Sequence, residues 1–393
     1  MKYTTEEVTS ERQADDFLRV PVGLYRGDRA WVRPLDDDIR KVFDPRRNPY
    51  FTHGECTRWL LRDERGRLAG RVAAFIDENV CRAGDYAVGG MGFFECVPDR
   101  VAAFALFDRC REWLQARGME AMEGPENFGE RNDWWGLLVE GFEPANYGMP
   151  YNPPYYRELF EAYGFRDYFQ QYTYLTRLVV ENLSPVVAWK SERLLKNKAY
   201  RLCALSDISL RRAKEAFLEV YNEAWQPGLH GVGNMEMAQV ETLFKNLRPV
   251  IDPELIYFAF YEERPVGFFI MIPELNYIVR HLNGKTGGLN ALKFLYYRHV
   301  RRGDVALGLI FGVTPGFQGR GVEAAIIKFF CERIVERKSH YKWLQMSWVG
   351  DFNKAQMHLM EYVGGKRCKT HITYRKLFRD DIVFRRLAER VEA

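Results

Sequence analysis

Several features typical of other protein classes are absent from this 393-residue sequence. No apolar run approaches the 18 residues of a membrane-spanning helix, and residues 1–7 do not have the form of a signal peptide. The seven cysteines are odd in number and include no C-x-x-C pair, which argues for a reducing compartment and against a zinc site. We therefore expect a cytoplasmic protein without a bound metal.

The patterns of other common chemistries are missing as well. We find no Ser/His/Asp set and no paired carboxylates, and Cys203, Cys331 and Cys368 lie in patterns typical of small core residues. The net charge of +4 is too small to indicate a nucleic-acid partner. Hydrophobic residues, by contrast, make up 47% of the chain and aromatic residues 15%. This content predicts a large globular core, with an acyl-lined groove as the alternative use of the aromatic residues.

The most informative segment is residues 310–327, which has the pattern of an apolar strand, a Pro/Gly-rich loop and an amphipathic helix. Apolar residues from Val322 to Ile334 follow helical spacing, so the loop opens a helix with a buried face. Amides at a helix N-terminus lack intrahelical partners and lie at the positive end of the helix dipole. Gly319 and Gly321 would allow an anion to approach them closely. The segment predicts a diphosphate site, although glycines also mark ordinary turns.

The order Val313-x-Pro315-x-x-Gln318-x-x-Gly321 resembles the pyrophosphate-binding loop of the GNAT superfamily of acyl-CoA-dependent N-acyltransferases. The strand, helix and strand patterns that follow, up to residues 371–374, resemble the GNAT core from its fourth strand onward. The alternative is an unrelated α/β unit with a structural glycine turn. The resemblance implies acetyl-CoA or a longer acyl-CoA as co-substrate. The residues that it assigns to the acyl-CoA site are Phe311, Gly312, Val313, Gln318, Gly319, Arg320, Gly321, Val322 and Asn353.

Two positions depart from the family's pattern. The family usually has Gly or Ala where this chain has Glu323, and a carboxylate there would repel a diphosphate if it pointed inward. Many members carry a proton-donating Tyr seven residues after the helix-opening Asn353, where this chain has Met360. Tyr362 lies about 200° further around the helix and cannot replace it without a shift in register. The usual general acid is therefore absent.

The sequence predicts two domains. A basic segment with one proline, residues 182–198, places the boundary near residue 185, between a domain of residues 1–185 and a GNAT domain of residues 186–393. The pattern around Gly164 recurs about 200 residues later around Gly364, each time before a closing strand. In the first copy Asp99 leads straight into a helix without a glycine loop. We expect an α/β (α+β) protein with tandem GNAT-like domains and a mixed central sheet flanked by helices.

In this arrangement only the second domain would hold CoA. The first domain would be degenerate and would form a wall or lid over the acceptor, across a cleft lined by aromatic residues. The overall pattern, including Gly70-Arg71 and Met91-Gly92, resembles a group of bacterial GNAT-type proteins that includes bacterial ceramide synthases. That resemblance implies transfer of an acyl group to an amine, with a lipid or sphingoid base as one candidate acceptor. A peripheral membrane contact is compatible with such an acceptor.

Two residues are candidates for the base that removes the ammonium proton. Glu274 follows the strand next to the CoA strand, and His230 lies in the loop after Trp225. Both also have a structural interpretation, a strand-end cap for Glu274 and a surface loop residue for His230. Two other functions stay open: an aminoacyl-tRNA-dependent transferase, which a broad basic groove would favour, and a binding or regulatory protein with a decayed site, which Glu323 and Met360 would favour.

Overall fold

The computed structural model describes residues 2–131, 133–224 and 235–391. The first half of the chain folds into strands and helices. Its strands are β1 (Tyr3–Glu7), β2 (Gly54–Asp63), β3 (Leu68–Asp77), β4 (Val88–Cys96), β5 (Ala121–Gly124), β6 (Leu137–Glu140) and β7 (Arg166–Arg177). Its helices are α1 (Glu11–Leu24), α2 (Asp36–Val42), α3 (Arg100–Gln115) and α4 (Tyr156–Tyr163).

The second half repeats this plan. Its strands are β8 (Tyr200–Ala204), β9 (Ile256–Tyr261), β10 (Arg264–Pro273), β11 (Val305–Val313), β12 (Trp343–Gly350) and β13 (Lys366–Leu377). Its helices are α5 (Pro185–Leu195), α6 (Leu210–Ala224), α7 (Met237–Leu247), α8 (Asn276–Val279), α9 (Leu289–His299), α10 (Val322–Glu336), α11 (Lys354–Tyr362) and α12 (Leu387–Val391).

One mixed sheet runs through both halves. Its strand order is β1-β2-β3-β4-β5-β13-β7-β12-β11-β10-β9-β8, and β6 pairs with β13 beside this path. The order is symmetrical about the central β13–β7 pair, because β1 to β5 on one side match β8 to β12 on the other. The parallel pairs also match, since β4 with β5 corresponds to β11 with β12. The predicted tandem GNAT-like fold with a mixed sheet is confirmed.

The two halves exchange their closing strands. β7 ends the first half of the sequence but pairs with β12 of the second, and β13 ends the second half but pairs with β5 of the first. The two exchanged strands are also antiparallel partners of each other. The division into residues 1–185 and 186–393 stays a prediction, and the sheet shows that each part is completed by a strand from the other.

Helices cover both faces of the sheet. On one face, α3 and α4 pack against the first half, while α5 and α10 pack against the second. In the second half α6 and α7 cover the opposite face, where Phe217, Phe258 and Phe268 are buried. Within the described ranges, no helix is both long enough and apolar enough to cross a membrane.

Candidate functional site

The predicted glycine loop connects β11 to α10. A short 3-10 turn, Pro315–Phe317, starts the loop, and Gly319 and Gly321 have positive φ angles of +68° and +101°. Side chains other than glycine rarely adopt such angles, so the two glycines set the path of the loop. The side-chain amide of Gln318 donates to the carbonyl oxygen of Val313 at 3.0 Å, which braces the loop against the end of the strand.

The N-terminus of α10 has free amide groups. Gly321 is the N-cap residue and provides no side-chain hydrogen bond to the first turn. The first amides of an α-helix have no carbonyl partner within the helix and lie at the positive end of its dipole. Behind them Val322, Ala325 and Ile326 are fully buried, so the helix start is held in place by the core. The predicted strand, loop and helix are confirmed, and phosphate binding by the loop stays a prediction.

Helix α5 lies closer to this loop than the sequence indicated. A Cβ atom added to Gly321 would lie 3.0 Å from the backbone oxygen of Lys190 in α5. The ammonium group of Lys190 lies 5.7 Å from the ring centre of Tyr362 at the end of α11. One side of Gly321 is thus covered by α5, and an anion would have to reach the loop from the side of the exposed residues Gly319 and Arg320.

The strand that leads into the loop stops pairing with its parallel neighbour. β11 pairs with β12 from Val305 to Gly308 only. The next residue, Leu309, is skipped in the register between β10 and β11 and is 41% exposed. In the part of the chain that the structure describes, no hydrogen bond joins residues 309–313 to residues 347–350. This stretch of β11 stays paired with β10, and on its other side it has backbone groups available directly before the glycine loop.

The other residues assigned to the acyl-CoA site lie on both sides of this junction. Phe311 is half-buried against Phe269, with ring centres 5.1 Å apart. Arg320 is exposed and lies with its guanidinium 5.4 Å from the ring centre of Phe317. The side-chain oxygen of Asn353 accepts the amide of Gln356 at 3.1 Å, so Asn353 caps α11. The cofactor roles of these residues stay predictions.

The two positions considered for the proton donor differ in environment. Met360 is 7% exposed and belongs to the core beneath α10 and α11. Tyr362 is 43% exposed and points away from that core. The absence of a tyrosine at residue 360 therefore leaves an apolar side chain where the family often has a phenol.

Glu274 lies at the start of the connection between β10 and β11. Its carboxylate accepts hydrogen bonds from the amides of Tyr147, at 2.7 Å, and of Asn276 and Tyr277, both at 3.1 Å. Burial raises the pKa of this carboxyl group, while the amide hydrogen bonds act in the opposite direction. The amide of Glu274 donates to the backbone oxygen of Val305 in β11. Val305 lies four residues before Leu309, or roughly 13 Å along the strand. These contacts are those of a structural cap, and its role as a base stays a prediction.

A small pocket connects Glu274 to the first half of the chain. It has a volume of about 180 Å³ and is lined by Glu274, Asn276 and Gln345 of the second half and by Pro144 to Asn146 of the first. The lining also includes Tyr277, Arg280 and Asp304. The other candidate base, His230, lies outside the described residues.

The seam between the halves, where we expect an aromatic cleft, is formed by two paired strands. The halves join edge to edge through β7 and β13, and aromatic side chains at this seam pack against one another. Phe169 lies 5.6 Å from Phe352 and 6.2 Å from Trp348, measured between ring centres. The exchange of closing strands makes the sheet continuous across the domain boundary, and the aromatic cleft stays a prediction.

Sequence reasoning also missed a buried polar stripe on the two central strands. Gln171 and His371 are direct partners in the β7–β13 ladder, and both are almost completely buried. The Nε2–H group of His371 donates to the backbone oxygen of Pro150 at 3.3 Å, and burial lowers the pKa of His371 to about 4. His371 is therefore neutral at pH 7. Only the pairing of β7 with β13 brings these residues together, and no local pattern indicates it.

No protein-family model matches the chain. Two curated relatives align along most of it. The bacterial ceramide synthase of Caulobacter vibrioides is 28% identical over 369 residues, which cover 92% of this chain and 94% of the relative. The protein YghO of Escherichia coli is 24% identical over 365 residues, which cover 92% of each chain.

Among solved structures, a tandem GNAT protein from the clavulanic acid biosynthesis pathway superimposes with a TM-score of 0.56 at 10% identity. The match covers 97% of this chain and all of the other, so both halves and their arrangement are shared. At this identity the likeness concerns the fold alone. The chain thus has the tandem GNAT fold and resembles the bacterial ceramide synthase along most of its length.

Proposed function

We propose that the protein is an acyl-CoA-dependent N-acyltransferase whose acceptor is a lipid amine such as a sphingoid base. The observation that carries the proposal is the uncapped N-terminus of α10, which lies behind a glycine loop at the end of a strand that has left its parallel neighbour. The name of the Caulobacter relative supports a lipid amine as acceptor. The tandem GNAT likeness supports an acyl-CoA as donor.

Each part of the junction has a separate task in this proposal. The amides of Gly319 to Val322 would hold the diphosphate, with the exposed cation of Arg320 beside them. A backbone N–H of β11 near Leu309 would donate to the thioester carbonyl oxygen, where negative charge develops. The acceptor nitrogen forms the new C–N bond as the C–S bond breaks and CoA leaves as the thiolate. The proton of the amine passes through water to a base.

Glu274 is the candidate for that base. Its raised pKa would make the carboxylate a better proton acceptor than an exposed glutamate. Glu274 lies beside Val305, which is roughly 13 Å along β11 from Leu309. The proton would therefore have to travel through water in the small pocket.

The test is CoA binding by calorimetry with a matched pair of variants at Gly319. A Cβ atom at this position meets no other atom within 4 Å, and both Asn and Asp tolerate its positive φ. Gly319→Asp should weaken CoA binding by about 2 kcal/mol, roughly thirtyfold, relative to Gly319→Asn, because only Asp adds a negative charge beside the diphosphate. Equal affinities in the two variants would show that the diphosphate lies elsewhere. Gly321 is unsuitable for this test because its substitution would also displace α5.

Met360 favours a second candidate, a protein that binds acyl-CoA without turning it over. The buried thioether cannot donate a proton to the leaving thiolate. Release of free thiol from palmitoyl-CoA in the presence of sphinganine distinguishes the two functions. Thiol release that requires sphinganine supports the transferase, and CoA binding without thiol release supports the binding protein.

A further inference from the structure

Helix α9 presents an apolar face to the outside of the molecule. Leu289, Leu292 and Val300 are 77%, 64% and 68% exposed, and Leu295 and Tyr296 are also exposed. At 3.6 residues per turn, these five side chains share one side of the helix. We call these five residues the α9 face. The half-buried side chains of α9, among them Phe294 and Tyr297, lie on the opposite side.

The segment that carries this face is strongly basic. Residues 275–303 contain six Lys and Arg residues and no Asp or Glu, while the rest of the chain has 51 basic and 53 acidic residues. Lys285, Lys293, Arg301 and Arg302 are exposed, and among the described residues none of them forms an ion pair. The net positive charge of the protein is therefore concentrated in the segment of the chain that carries the α9 face.

An ordinary surface helix exposes a polar side, whereas α9 exposes an apolar one. Exposed apolar residues flanked by Lys and Arg are typical of helices that lie in the interface of an anionic bilayer. We infer that the α9 face docks on a membrane surface that contains anionic lipids. The apolar side chains enter the lipid layer, and the surrounding cations bind the phosphate groups.

The position of α9 places the membrane contact near the candidate acyl-CoA site. The helix belongs to the connection between β10 and β11, the strand that enters the glycine loop. Other residues of the same connection, Tyr277, Arg280 and Gly303, line the small pocket together with Glu274. A lipid amine held in the membrane would therefore reach that pocket along the docked segment. This part of the inference rests on the proposed function, whereas membrane docking itself does not.

Charge also favours a lipid surface over a second copy of this chain. A twofold contact through the α9 face would bring the cations of both copies together with no acidic residue of the segment to balance them. An anionic bilayer supplies the missing opposite charge.

Cosedimentation with vesicles tests the inference. The intact protein should bind vesicles containing about 30% phosphatidylglycerol in phosphatidylcholine, bind pure phosphatidylcholine weakly, and lose affinity as salt is raised. The double variants Leu292→Gln/Leu295→Gln and Arg301→Gln/Arg302→Gln should each weaken binding about tenfold or more, because each removes one of the two contributions.

Matched controls replace similar residues elsewhere. Leu210 is 53% exposed on α6, and Arg12 and Arg65 are exposed on the first half. Leu210→Gln and Arg12→Gln/Arg65→Gln should bind vesicles as the unaltered protein does. Circular dichroism confirms that every variant is folded.

The inference is overturned if the unaltered protein does not bind anionic vesicles, or if the α9 variants bind as well as the controls. It is also overturned if sedimentation shows a dimer that the Leu292→Gln/Leu295→Gln variant dissociates, since the face would then be a protein interface. Calorimetry with CoA keeps the two proposals separate, because the α9 variants should bind CoA normally whether or not they bind vesicles.

Discussion

The two halves of this molecule have the same fold but differ at the one junction where an anion could bind. In the second half, β11 leaves β12 and enters a glycine loop, and α10 starts without a side-chain cap. In the first half, the equivalent helix α3 starts at Asp99, whose carboxylate accepts the amides of Val101 at 2.8 Å and Ala102 at 3.4 Å. The first half thus supplies its own negative charge at the position where the second half would take one from a ligand.

In the described part of the second half, the end of β11 has no partner on the side of β12. In the first half the corresponding side of β4 is occupied. After β5 the chain stays beside β4, and the amide of Glu126 donates to the backbone oxygen of Met91 in β4 at 2.8 Å. A Cβ atom on Gly92 would lie 1.7 Å from the backbone oxygen of Glu126, so nothing else fits there. The comparison shows that a few residues at a strand end and a helix start separate a candidate binding domain from a structural one.

The largest effect should come from the contact that ties the final strand of the chain into the first half. A Cβ atom on Gly141 would lie 1.9 Å from the backbone oxygen of Cys368, whereas Gly66 has nearly the same φ, +75° against +76°, and open space. Gly141→Ala should lower the free energy of unfolding by about 3 kcal/mol more than Gly66→Ala, because only Gly141 meets a rigid backbone. Urea unfolding measures both variants. Equal losses would mean that β13 is not held against the first half as described.

A second test concerns Gln171 and His371, which occupy matching places in the two exchanged strands. With a pKa of about 4 in the folded protein and about 6.5 when unfolded, His371 stops contributing to the pH dependence of stability only well above pH 6.5. Below pH 6.5 His371 is protonated in the unfolded chain but stays neutral in the folded protein, so the free energy of unfolding falls. From pH 7 to pH 5 the loss should be about 2 kcal/mol.

His371→Gln makes the two positions identical and should remove this part of the pH dependence. Urea unfolding of both proteins at pH 7 and pH 5 gives the change for each, and the difference between these changes isolates His371. Other titrating groups, such as Asp133 with its pKa raised to about 6 by burial, cancel in that difference. The same pH dependence in both proteins would contradict a buried neutral histidine.

The smallest effect concerns Glu323, the acidic residue in the first turn of α10. It is partly buried beside the candidate diphosphate site. If its carboxylate faces the diphosphate, Glu323→Gln should tighten CoA binding by about 1 kcal/mol, because a repulsion is removed and the shape is kept. Glu336→Gln at the far end of the same helix is the control and should leave CoA affinity unchanged. Weaker binding by Glu323→Gln would instead make Glu323 a residue that orders the loop.

Local sequence patterns predicted the elements of this structure well. The helical spacing from Val322, the Pro/Gly loop before it and the apolar strand that begins the segment 310–327 could all be predicted because each depends on neighbouring residues. The recurrence around Gly164 and Gly364 indicated the tandem plan for the same reason. The absence of a loop at Asp99 was visible as well, and the structure adds that its carboxylate occupies the helix start.

Contacts between distant segments could not be predicted. β7 and β13 can satisfy their hydrogen bonds with either half, so their exchange is decided by the whole sheet. The hydrogen bond from Tyr147 to Glu274 and the packing of Lys190 on Gly321 join residues more than 100 positions apart. The spacing of apolar residues in α9 does not say which side of the helix faces outward. The missing acidic residues of 275–303 were the available signal for its unusual face.

The most direct test of the central claim is hydrogen exchange measured by mass spectrometry with and without saturating CoA. The account predicts slower exchange in peptides covering residues 313–324, where the amides of the glycine loop and the first turn of α10 would bind the diphosphate. Peptides covering residues 97–105 should not change, because Asp99 already occupies the amides there. Protection of residues 97–105, or no protection of residues 313–324 with CoA bound, would contradict the account.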